Sequence, residues 1–94
     1  MPPRSRHAHG RSEIWERAIV VRAVDRELRR LARRLRELRK ERKLTQEKAA
    51  ERIGIHEKYL QRTELAKVNP AVATLVAIAV AYEVPLRALF SDDG

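Results

Sequence analysis

The sequence predicts an all-α fold of five helices, the first of them extended at its N-terminus. Three observations carry this reading. Apolar residues recur at helical spacing from Ile14 to Leu38. Residues that start and stop helices punctuate the chain at Thr45, Gly54 and Pro70. The run AVATLVAIAVAY over 71–82 is apolar nearly all round, as a helix covered on two sides is. The chain has 94 residues, room for one small core, and short chains of this size often gain stability by oligomerising.

Residues 1–11, MPPRSRHAHGR, have two prolines, a glycine and almost no apolar side chains, and read as a disordered basic arm. From Ser12, a plausible N-cap followed by Glu13, the pattern turns helical. Ile14, Val21, Leu28 and Leu35 stand seven apart, and Val24, Leu31 and Leu38 follow the last three of them by three residues. This is a heptad pattern broken at Arg17. A single helix over 13–42 would be roughly 45 Å long. The alternatives are a break near Val24–Asp25, with Asp25 capping a second helix, or a strand at Ile19–Val21. The segment 12–27 is therefore read as a helical extension, the domain proper as 28–90, and 91–94 as an acidic tail.

Thr45 caps the next helix over Gln46–Ile53, with Ala49, Ala50 and Ile53 facing inward, and Gly54 ends it in the left-handed conformation. Glu57–Leu65 forms the third helix. Val68-Asn69-Pro70 is a turn. The fourth helix turns Leu75, Ile78, Ala79 and Tyr82 to one core. Ala73, Val76, Ala77 and Val80 then need a second cover, either another subunit or the 13–24 segment. Pro85 opens a short fifth helix ending near Phe90.

The formal net charge is +8 and the pI about 10.8, which favours a polyanionic partner. Fifteen of the 21 Lys/Arg but only six of the 13 Asp/Glu precede Leu44, so the whole excess sits in the N-terminal half. There is no cysteine, which excludes disulfides and thiolate metal sites and is compatible with a reducing compartment. No apolar run approaches the roughly 20 residues of a membrane span, and the basic N-terminus lacks the pattern of a secretory signal.

The stretch LTQEKAAERIG, with Leu31, Leu35, Leu38 and Arg39 before it and VPLRALF after it, resembles the lambda-repressor-like, Cro/CI-type (XRE-like) helix-turn-helix domain over about residues 28–90. LRELRKERKLTQ is similar to the end of the family's first helix and the start of its second. Gly54 falls in the turn, and Glu64 and Lys67 fall in the family's Glu-x-Gly-Lys stretch. The resemblance implies that Glu57–Leu65 enters the major groove of DNA. It places Gln46, His56, Glu57, Lys58, Gln61 and Arg62 at the DNA face, with Gln46 also bracing the recognition helix and Arg39, Lys43, Thr45 and Lys67 as candidate phosphate contacts. Chemistry gives these distinct jobs: Arg62 can donate twice to guanine, Gln61 can pair with adenine, Glu57 can accept from cytosine, and Lys58 can reach guanine or phosphate. Four positions depart from the family. His56 replaces a Ser/Thr cap, Thr63 a core Ile or Leu, Ala66 a glycine, and Ala71 a Ser cap.

Ile14, Trp15, Ala18 and Val21 lie outside the family domain. They either fold back on it or, with Val76 and Val80 of the fourth helix, form a dimerisation element. Arg4, Arg6, His7, His9 and Arg11 of the arm can enter a minor groove or attract phosphates diffusely. His7-x-His9 lacks a third ligand, so no metal and no cofactor is expected. Without a phosphate loop, a cysteine nucleophile or paired carboxylates, the chain reads as a non-enzyme. The resulting expectation is a prokaryotic, cytoplasmic and nucleoid-associated homodimer that represses transcription from an inverted-repeat operator. The alternatives are an antitoxin-type autoregulator holding a toxin partner, or a protein-interaction adaptor.

Overall fold

The computed structural model describes residues 10–91, and side chains from residue 16 onward. Residues 1–9 of the basic arm, the side chains of Ser12, Glu13, Ile14 and Trp15, and the acidic tail beyond Ser91 lie outside the described residues.

Helix α1 runs unbroken over Gly10–Glu41. At 1.5 Å per residue it accounts for most of the 51 Å long axis of the molecule. The break at Val24–Asp25 does not occur, and Ile19, Val20 and Val21 are helical rather than a strand. The physical reason is local. β-Branched residues lose only a few tenths of a kcal/mol each in a helix, and the Arg, Leu, Ala and Glu residues around them favour it. Asp25 does not cap a helix but accepts from Arg29 one turn on, and Glu27–Arg30 and Arg33–Glu37 add further pairs along the exposed side.

The helix ends where Lys43 turns to φ 56 and Leu44 N donates to Arg39 O at 3.2 Å. Helix α2, Gln46–Ile53, starts under the Thr45 cap, whose hydroxyl accepts from Lys48 N at 3.1 Å. Gly54, at φ 91, closes it, and the amides of Gly54 and Ile55 both donate to Ala50 O. Helix α3 spans Glu57–Glu64 and helix α4 Val72–Tyr82. The fifth element, Leu86–Phe90, is a 3-10 helix and not an α-helix. Five residues following Pro85 give too few i→i−4 bonds for a full α turn to propagate.

These elements close on one core: Leu31, Leu35 and Leu38 from α1, Ala49, Ala50 and Ile53 from α2, Leu60 from α3, and Leu75, Ile78, Ala79 and Tyr82 from α4, with Leu89 beneath them. The two alanines of α2 let α3 and α4 approach closely, so α3 is held against the domain by one face and shows the other to solvent. The inward faces of α2 and α4 are the ones their patterns predict. No helix of the described residues is long and apolar enough to cross a membrane, and no group of three or more metal-ligating side chains occurs among them.

A candidate nucleic-acid interface

The α2–turn–α3 unit is fixed by a buried charge. Glu64, the last residue of α3, lies on the same side as Leu60 and is 1% exposed. A carboxylate there requires partners, and it has three hydrogen bonds. Arg39 of α1 donates Nε and Nη2 to its two oxygens at 2.8 and 3.0 Å, and Gln46 of α2 donates Nε2 at 2.9 Å. Arg39 also donates to Leu44 O at 2.9 Å, and Arg36 to Glu64 O. The start of α2, the end of α3 and the C-terminal part of α1 are thus tied at one point. The carboxylate beside it raises the Arg39 pKa above its ordinary value, against the opposing effect of burial.

Arg39 therefore does not stand where a phosphate contact was expected. Its guanidinium is directed at Glu64 and Leu44 O, and the side chain is 12% exposed. The family resemblance places Glu64 in a motif but names no partner for it. The signal available was a carboxylate on the core-facing side of a helix, which has to meet a cation. Gln46 is half-buried, and its bond to Glu64 is the one that ties α2 to α3.

The outward side of α3 carries Glu57, Lys58 and Arg62, all exposed, and half-buried Gln61. Gln61 Nε2 donates to Glu57 Oε2 at 3.4 Å one turn back. His56 precedes the helix with an extended backbone and makes no side-chain cap. The first amides of α3 therefore have no side-chain acceptor. The Thr63 hydroxyl donates to Tyr59 O at 2.8 Å, which is how a hydroxyl fits a core position. Ala66 sits at φ 59 while Lys67 N donates back to Arg62 O at 2.9 Å, so the turn keeps the geometry of a glycine turn with an alanine in it. Lys43, Thr45 and Lys67 are exposed at the mouths of these turns. Ala71, like His56, provides no cap.

The other proposed sites are more dispersed. Val76 and Val80 are exposed on α4, and the described part of the 13–24 segment does not cover them: α1 continues straight, with Val20 and Val21 exposed and Ala18 half-buried. The folded-back arrangement is therefore not adopted by the described residues.

A family model described as a helix-turn-helix domain matches residues 30–90. The chain is 37% identical over 60 residues, 64% of its length, to the immunity repressor protein of Bacillus phage phi105, and the match covers 42% of that protein. A structure of an HTH_3 family transcriptional regulator from Vibrio cholerae superposes with a TM-score of 0.71 at 30% identity, covering 74% of this chain and 39% of that one. The restriction-modification controller protein C.AhdI from Aeromonas hydrophila superposes with a TM-score of 0.66 at 32% identity, covering 67% of this chain and 96% of that one. The chain thus matches less than half the length of the phage and Vibrio proteins and nearly all of the controller protein.

Proposed function

This chain belongs to the lambda-repressor-like helix-turn-helix family, and from that premise we propose that it binds double-stranded DNA sequence-specifically and regulates transcription. It acts as a homodimer on an inverted repeat, most simply as a repressor that occludes a promoter. The observation that carries this reading is the exposed, polar side of α3, held rigid from behind by Glu64, Arg39 and Gln46. Side chains that read base edges must be held in place by the domain beneath them.

Arg62 and Lys58 donate to guanine, and Gln61 reads adenine after leaving Glu57. Lys43, Thr45 and Lys67 contact phosphates, aided by the uncapped amides of α3. Gln46 reaches the backbone only with the amide edge it does not spend on Glu64. A two-fold dimer sets its two recognition helices about 34 Å apart, one turn of DNA. The localisation that fits is the prokaryotic cytoplasm, on the nucleoid.

The test is protection of the chain's own promoter region from nuclease at physiological salt, with a random fragment as competitor. A symmetric footprint is expected, and equal binding to both fragments would sink the reading. Arg62→Ala should lower specific affinity by about 1–3 kcal/mol with unchanged helix content. Specificity that survives it would remove Arg62 as a base reader.

A further inference from the structure

Helix α1 keeps its core-facing stripe after it has left the core. Leu38, Leu35 and Leu31 are buried, Leu28 is half-buried, and Val24, Val21 and Val20 are exposed, Val21 by 65%. At about 100° per residue these positions share one side of the helix, and the Arg22, Arg26, Arg29 and Arg33 stripe lies opposite. Where α1 leaves the domain it forms one wall of an apolar groove of about 410 Å³, whose other walls include Pro70, Val72, Leu75 and Phe90. Val72 and Phe90 are themselves 67% and 48% exposed. An aliphatic stripe running into an open apolar groove is a surface shaped for a helix.

We propose that a second copy of α1 covers this surface, running antiparallel, so that residues 14–24 of each chain lie along residues 21–31 of the other and fill its groove. The proposal rests on the homodimer reading and gives that dimer its interface. The heptad supports it. With Ile14, Val21 and Leu28 at one seam position and Arg17 and Val24 at the other, setting Val21 opposite Val24 of the partner subunit also sets Leu28 opposite Arg17 of the partner subunit, and brings Ile14 of the partner subunit to the groove wall at Leu31, itself only 4% exposed. Every layer pairs the two seam positions, and a two-fold axis repeats each pair, which closes the assembly at two chains.

Charge agrees with this register. Arg17, the one charged seam residue, comes beside Glu27 of the partner subunit. A parallel pairing would instead set Arg17 against its own copy. It would also bring both domains to the same end of the seam, where each already covers the side the other needs.

The full chain has no cysteine, so disulfide mapping reads the register directly. Arg17→Cys mixed with Leu28→Cys should give the mixed disulfide rapidly. Arg17→Cys alone should not cross-link, because its copies stand about 16 Å apart along the antiparallel pair, beyond the reach of a disulfide. Cross-linking of Arg17→Cys with itself, and not with Leu28→Cys, would overturn the antiparallel register. In sedimentation, Val21→Glu and Val72→Arg should each raise the dimer dissociation constant at least about tenfold. Val80→Arg, on the outer side of α4, should leave it unchanged, with circular dichroism verifying the fold of each variant. A dimer indifferent to Val21→Glu and broken by Val80→Arg overturns this interface and keeps the homodimer. A monomeric parent chain removes the homodimer itself.

Discussion

Two residues sit in costly surroundings, Ala66 through its backbone and Tyr82 through its buried hydroxyl. Ala66 holds a left-handed φ of 59, a conformation that favours glycine. A Cβ in that conformation costs about 1–2 kcal/mol, only partly offset by the greater freedom glycine has when unfolded. Ala66→Gly is therefore expected to raise stability by about 0.5–1 kcal/mol, measurable as a shift in the denaturant midpoint. A lower midpoint would show the alanine to be relaxed. Tyr82 packs its ring beneath the Arg42 guanidinium, 5.6 Å from the centroid, and its Oη has no hydrogen-bond partner among the described residues. Burial, and after it the Glu64 charge, pushes its pKa from 10.0 up to about 12, against the pull of Arg39, Arg42 and Arg52. The folded chain thus holds this proton more tightly than the unfolded chain. The resulting stability is present below pH 10 and lost as pH rises from there toward about 12. Tyr82→Phe should remove that alkaline decline while leaving neutral-pH stability equal or up to about 1 kcal/mol higher, since it deletes an unpaired buried hydroxyl. An unchanged alkaline decline in the variant would show that it arises elsewhere.

At the scale of elements, the join between α1, α2 and α3 is the feature with most at stake. A buried ion pair adds little over a well-packed apolar replacement, but stripping one partner from it costs about 3–5 kcal/mol. Arg39→Ala should therefore destabilise the domain by that order and loosen α3, because Glu64 would be left with Gln46 alone. The prediction separates two roles for Arg39. If it were a phosphate contact, the variant would keep its melting temperature and lose only DNA affinity. The outer side of α3 is set by Glu57, whose carboxylate takes the Gln61 amide and stands near where phosphates would pass. Glu57→Gln is expected to tighten non-specific DNA binding severalfold at low salt. Weaker specific binding in the same variant would identify Glu57 as a base reader.

For the whole molecule, charge and shape divide the labour. The α2–α4 half is close to neutral, while the basic excess lies before Leu44 and much of it along the exposed side of α1. Association with DNA should accordingly depend on salt through the N-terminal half. Removing residues 1–11, which carry three arginines, is expected to weaken binding and flatten the plot of log affinity against log salt by up to about 3 units. An unchanged slope would leave the arm without a part in binding.

The extent of each helix from Thr45 onward, the inward positions of α2 and α4, and the glycine turn at Gly54 were legible in the sequence, because each follows from spacing and capping within a few residues. The continuity of α1 was not, since Asp25 caps a helix or pairs within one depending on neighbours that weigh little individually. The fifth element was placed but mistyped, since the same few residues fit a 3-10 or an α turn. Two things needed the tertiary structure. The partner of Glu64 is one: Arg39 is 25 residues away, and a cation four residues before Lys43 looks the same in sequence whether it faces DNA or a buried carboxylate. The state of the heptad stripe is the other. Its spacing runs from Ile14 to Leu38, interrupted at Arg17, but only packing decides that Leu31, Leu35 and Leu38 are consumed by the chain's own core while Val20, Val21 and Val24 are left exposed. Periodicity fixes which side of a helix is apolar, and burial depends on what long-range contacts bring to that side.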